Sequence, residues 1–157
     1  MMKAYLAVPI GAVLMLCQAQ AYAAPSAETH LDNPSVRLWY EESGRLSGNI
    51  ATPKGFALWN VVIGGGDAEE NANDALFTVD LKSRGEQNVT LPLTLTAIDS
   101  KGKILARRVF SHLLTGANGN VTVPLWVNNI GCAGTVTFTA RYSGERKAVS
   151  LGFNCGE

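Results

Sequence analysis

The chain reads as an all-β protein, an antiparallel β-sandwich of about seven to eight strands with one disulfide. Three observations predict it. Apolar residues recur with a period of two in segment after segment, as in Val121, Val123, Leu125 and Val127 against Thr122, Pro124, Trp126 and Asn128, and strict alternation places one set on each face of a strand. No segment after residue 23 carries apolar residues at i, i+3, i+4 and i+7 over three turns, so no substantial helix is expected. Short clusters of Gly, Asp, Asn and Ser separate the alternating segments, which supplies the turn chemistry that hairpins need.

Before the strands come two non-domain segments. Met1–Lys3 gives a positive start, Ala4–Leu16 an apolar run, and Ala21-Tyr22-Ala23 a small-x-small site, the three parts of a cleavable export signal spanning residues 1–23. A bilayer span needs about 20 apolar residues, and this run is interrupted by Pro9 and ends at Gln18 and Gln20, so no stable membrane insertion is expected. Lipid attachment at Cys17 is the alternative, with Leu14 three residues ahead of it and Leu16 in the place where such signals prefer a small residue. Residues 24–34 are polar, include two prolines and lack a period, so they read as an extended leader. The domain is then 35–157.

Strand candidates follow in order. Ser35–Glu41, Phe56–Ile63 and Ala75–Leu81 are rich in β-branched and aromatic residues. Val89–Ile98 and Lys103–Ser111 flank Asp99-Ser100-Lys101-Gly102, a turn with residues suited to positive φ. The Val121–Val127 alternation comes next. Thr135–Tyr142 and Ala148–Asn154 then flank Ser143-Gly144-Glu145-Arg146-Lys147 as a second hairpin. One apolar face per strand marks antiparallel sheet, and without helices the cover has to be a second sheet. Over Ser35–Asn154 this pattern resembles the immunoglobulin-like sandwiches in the broad sense of that architecture. The usual Cys, Trp, Cys spacing across two sheets is absent.

Removal of 23 residues from 157 leaves 134 with two cysteines, Cys132 and Cys155. An exported chain meets oxidising conditions, so an even count reads as a disulfide, here one that ties the open end of the last hairpin. The location that goes with this is periplasmic or secreted. No Cys-x-x-Cys spacing and no nearby histidine favour a redox or metal pair.

The most distinctive irregular stretch is 64–74, Gly-Gly-Gly followed by Asp67, Glu69, Glu70, Asn71, Asn73 and Asp74. Oxygen-bearing side chains at alternate positions resemble the first half of a calcium loop. Ala72 then stands where the turn glycine belongs and Thr78 where the closing glutamate belongs. The preferred reading is a solvated connection that protects a sheet edge, and the alternative is a loop that contacts a partner. Asp67, Glu69, Glu70 and Asn71 are therefore candidate binding residues.

Trp126 is the other candidate, because alternation puts it opposite the valines, on the outer face, where an indole can anchor a protein interface or stack on a sugar. Trp39 and Trp59 are expected in the core. Tyr40 lies on the opposite face from Trp39.

Thirteen basic against thirteen acidic residues give no field for nucleic acid, and the pairs Arg107-Arg108 and Arg146-Lys147 are short and lack interleaved aromatics. Ser111 and His112 are neighbours on a predicted strand and so point apart. His30 and His112 are the only histidines, with no spacing for a metal. No catalytic residues, metal or other cofactor are expected. The chain is read as a non-enzymatic binding module, foremost for a protein partner, with a secreted enzyme inhibitor or a carbohydrate- or calcium-dependent recognition module as alternatives. Asn88-Val89-Thr90 and Asn120-Val121-Thr122 are glycan acceptors only in a eukaryotic host.

Overall fold

A computed structural model describes residues 29–52, 55–59 and 66–154. The predicted signal, Cys17, most of the leader and Cys155 lie outside the described residues, as does the side chain of Trp59. Among the described residues there is no helix and there are twelve strands: β1 (His30–Leu31), β2 (Ser35–Tyr40), β3 (Arg45–Leu46), β4 (Ala57–Trp59), β5 (Asp74–Lys82), β6 (Asn88–Val89), β7 (Leu93–Asp99), β8 (Ile104–Phe110), β9 (Leu113–Leu114), β10 (Asn120–Val127), β11 (Gly134–Tyr142) and β12 (Glu145–Asn154).

The strands form two five-stranded sheets and one two-stranded ribbon, β6 with β9. In the first sheet β5 is central. It pairs along its length with β10, while β1 and β2 share its other edge and β3 extends β2. The second sheet runs β4-β12-β11-β7-β8.

Period two is what makes the two sheets face each other. Ala75, Phe77, Val79 and Leu81 of β5, and Val123, Leu125 and Val127 of β10, turn inward against Leu93, Leu95 and Ala97 of β7 and Val136, Phe138 and Ala140 of β11. The layers meet at Phe77 and Phe138, ring centroids 5.4 Å apart, and Phe138 continues to Phe153 at 6.1 Å. Offset and edge contacts of this kind add about 0.5–1.5 kcal/mol beyond the area they bury. Leu31 N donates to Glu145 Oε2 at 2.7 Å, which ties the first sheet's short β1 to the second sheet.

Several expectations are corrected. The strands exceed seven to eight because two-residue strands such as β1, β3 and β9 are too short to show a period. The sheet is mixed, since β4 pairs parallel to β12 through Gly152↔Ala57. The leader is not wholly outside the domain: Leu31 pairs with Leu81 and is buried. The predicted 89–98 strand divides at Pro92, which has no N–H for a ladder, into β6 and β7. The last hairpin turns on Ser143 and Gly144 alone, at φ +46° and +82°, and Tyr142 pairs directly with Glu145; two positive φ values match the twist of a two-residue hairpin. By contrast the 99–102 turn forms as expected. Gly102 sits at φ +82° and Asp99 Oδ1 accepts from the N–H groups of Lys101 and Lys103.

Candidate functional site

The outer face of the first sheet gathers residues that are far apart in sequence. Cross-strand register sets Arg37 and Trp126 on either side of Leu76, Ser35 and Pro124 on either side of Thr78, and Thr122 beside Asp80. Each such row stands about 7 Å from the next along the strands. Trp39, opposite Asp74 and Leu46, completes the apolar end of the face.

Trp39 is here rather than in the core, a correction to the expectation above. In Ser35-Val36-Arg37-Leu38-Trp39-Tyr40 the buried set is Val36, Leu38 and Tyr40. Arg37 cannot be buried unpaired at acceptable cost, and Trp39 must share its face. That signal was present in the sequence. Trp126 falls where alternation puts it, on the outer face and 39 % exposed.

The two indoles meet edge to face with centroids 5.9 Å apart. Trp126 is also held by its polar edge: Nε1 donates to Asp74 Oδ2 at 3.0 Å, and Asp74 Oδ1 accepts from Asn129 N at 3.0 Å. One carboxylate therefore fixes both the ring and the chain just past β10. Asn129 adopts φ +53°, a conformation that asparagine tolerates better than most residues.

Next to the aromatic pair the sheet surface dips into a depression of about 350 Å3 lined by Asn33, Ser35, Arg37, Thr78, Asp80 and Thr122, with Val79 beneath. Thr122 Oγ1 donates to Asp80 Oδ1 at 2.6 Å, which leaves the other Asp80 oxygen able to accept. Ser35 Oγ is shielded and has no hydrogen-bond partner among the described residues. Asp32, which precedes this wall, pairs with Lys82. The Lys82 ammonium and the Asn33 N–H hold the Asp32 carboxyl below its usual range, and Asp32 in turn raises Lys82.

The acidic loop makes a second cluster. Glu69 and Glu70 pair with Arg45 at 2.7 and 3.1 Å, and Arg45 lies over the Tyr40 ring at 5.2 Å. Tyr40 Oη accepts from Glu69 N, and Glu70 accepts from Ser43 N. Burial acts to raise the Glu70 carboxyl, but the hydrogen bonds from Ser43 and Arg45 outweigh it and leave the group below its usual range. Arg45 is raised by the same two glutamates. Asp67 Oδ2 accepts from Ala57 N, and the Asn71 carbonyl accepts from Glu41 N. The loop side chains thus fasten 67–71 to the β2–β3 hairpin and to β4, whereas Trp126 belongs to the open sheet face.

A larger opening of about 700 Å3 is lined by Asn49, Ile50, Thr52, Gly55, Phe56, Ala57 and Asp67. Its one ionisable group, Asp67, is already bonded to the Ala57 N–H. The outer face of the first sheet is therefore the better-built candidate. Ser111 and His112 fall between β8 and β9 rather than within a strand, His112 at φ +59°. Among the described residues no three His, Cys, Asp or Glu side chains group as metal ligands, and no helix is long and apolar enough to cross a membrane.

Cys132 lies in the turn before β11, at φ +64°, and its sulfur is not a free thiol. Its expected partner, Cys155, is outside the described residues.

No family model matches the chain. No curated protein matches it. Among solved structures it is similar to a β-glucuronidase from glycoside hydrolase family 2, at 14 % identity and TM-score 0.36 over 52 % of this chain and 10 % of that one. It is also similar to the Bifidobacterium dentium β-glucuronidase complexed with coumarin-3-O-glucuronide, at 12 % identity and TM-score 0.37 over 82 % of this chain and 18 % of that one. A third is the ligand binding region of Serine-glutamate repeat protein A of Enterococcus faecium, at 11 % identity and TM-score 0.29 over 50 % of this chain and 76 % of that one. The chain thus spans less than a fifth of the length of either glucuronidase, and likenesses this weak carry no argument about function.

Proposed function

We propose that the protein is an exported, non-enzymatic recognition module that docks its ligand on the outer face of the first sheet. The single observation that carries this reading is the fixed aromatic pair beside a polar depression: Trp126 is packed on Trp39 and pinned by Asp74. A side chain held in one orientation loses little freedom on binding, and that favours affinity. The non-enzymatic reading fits the structural use of Asp32 and Glu70, which are engaged in ion pairs with Lys82 and Arg45.

The site is tested by capture. The mature chain and a Trp39→Ala/Trp126→Ala variant are immobilised and exposed to the same cell-envelope extract. A component retained by the native chain and lost from the variant is the expected result; identical captures would refute the face as the docking surface. A protein or a carbohydrate retained in this way identifies the ligand class. The inhibitor alternative uses 64–74 as an insertion element, and the ion pairs of Glu69 and Glu70 with Arg45 favour a fastened connection instead.

The finer features belong to the same proposal. Export rests on the 1–23 signal, and the mass of the mature chain tests cleavage after Ala23. Immunoglobulin-like character is proposed in the broad sense of two facing sheets. The Cys132–Cys155 disulfide is supported by the even cysteine count that export and cleavage would leave and by the engaged sulfur of Cys132.

A further inference from the structure

We propose that the ligand of this face is a neutral polysaccharide, its pyranose rings laid on the Trp39–Trp126 pair and its hydroxyls directed into the adjoining depression. The inference rests on the docking reading above and names its ligand class.

Three features select the ligand. A sugar ring has an apolar C–H surface and a rim of hydroxyls that both donate and accept, so it needs an aromatic surface and mixed polar partners within one ring's reach. Trp126, more than a third exposed, supplies the first. Arg37 supplies donors, Asp80 a remaining acceptor, and Asn33, Thr78 and Thr122 groups that do either. Size agrees as well: about 350 Å3 lies at the small end of the range for small-molecule pockets, enough for a monosaccharide unit.

Charge selects further. Arg37 and Asp80 line the same depression, and Lys82 beside it is paired with Asp32. A balanced surface of this kind gives a polyanion no net attraction. Apolar exposure on the face is confined to the indoles, Pro124 and the partly covered Leu46 and Leu76. A protein interface instead sinks an apolar anchor into a desolvated pocket, and here the pocket is the polar part. The face is built on strands β2, β5 and β10, whose ladder fixes the spacing of these groups, as a repeating polymer requires.

The test is native affinity electrophoresis of the mature chain in gels containing a soluble β-glucan, a mannan or a galactan, with dextran sulfate as the polyanion. Retardation by at least one neutral polysaccharide is expected, with about tenfold or greater weakening in Trp126→Ala and in Arg37→Ala. Arg107→Ala, on the opposite sheet, serves as the control and leaves retardation unchanged. Arg37 is exposed, so its variant folds even if loss of the indole perturbs the sheet. Retardation by dextran sulfate alone, by no neutral polysaccharide, or equally in native and variant chains overturns the proposal. If all three neutral gels fail while the double tryptophan variant still loses its captured component, the saccharide assignment falls and the docking face stands.

Discussion

Removing the Asp74 carboxylate should loosen Trp126 by an amount that the structure allows to be worked out. Asp74 accepts two hydrogen bonds, from Trp126 Nε1 and from Asn129 N, both at 3.0 Å and both toward the surface. A bond to a charged acceptor contributes about 1.5–3 kcal/mol, and water competes strongly at an exposed site, so about 0.5–1 kcal/mol for each is a fair discount. Asp74→Ala should then cost about 1–2 kcal/mol in all. Trp126→Phe removes only the indole donor and keeps a ring against Trp39, which isolates one of the two bonds. Urea unfolding of the native chain, both single variants and the double variant closes the cycle. Coupling of about 0.5–1 kcal/mol between the two positions is expected. Additivity within about 0.3 kcal/mol would refute the claim that Asp74 orients the indole, and with it the idea of a pre-set aromatic surface.

Other expectations follow from the core, a turn, an ion pair and the proposed sulfur bridge. Phe138→Ala empties the contact point of the two sheets, where Phe77 and Phe153 pack on the ring, and should cost about 3–5 kcal/mol by denaturant unfolding; a loss under 1 kcal/mol would mean that the sheets do not meet there. At Gly119, φ is +73° and an added Cβ would lie 2.2 Å from the Ser83 carbonyl oxygen. Gly119→Ala should therefore lower the melting temperature, whereas Gly144→Ala, where nothing lies within 4 Å, carries only the strain of positive φ and should cost less. Because Asp32 is lowered in the fold by Lys82, its contribution is complete above the unfolded value of about 3.9. It is lost as pH falls through the still lower folded value. Lys82 is raised, so its contribution is complete below about 10.4 and fades as pH rises through the folded value. In Lys82→Met the acid limb of the stability curve should flatten, and an unchanged limb would remove the pair as its source. Reduction of the chain from Ala24 onward should lower stability by about 3.4 kcal/mol if Cys132 and Cys155 close a loop of about 24 residues; a mass unchanged by alkylation under denaturing conditions before reduction confirms that both sulfurs are bonded.

The long strands were legible because burial of one sheet face forces a period of two. The sequence pattern predicts a strand over Ala75–Leu81, which extends one residue at each end in β5, and the 121–127 alternation matches β10 almost unchanged. The same rule placed Trp126 outside. For Trp39 the decisive residue was Arg37, two positions earlier: a guanidinium commits its face to solvent and takes every second neighbour with it. A two-residue strand has no period to display, which is why Leu31, buried in the core and paired with Leu81, is indistinguishable from leader in the sequence. Glu69 and Glu70 looked available because their partner, Arg45, lies over twenty residues away.

What the sequence alone determined is the all-β class, the inward side of β10, β11 and β12, and the two hairpins, since these depend on neighbours within a few residues. Only the tertiary structure decided that Arg37, Asp74, Asp80, Thr122, Trp39 and Trp126 share one face, because β2, β5 and β10 come together through ladder pairing. Local periodicity sets which way a side chain points. It carries no information about which strand lies alongside, and a binding surface built across three strands depends on that choice.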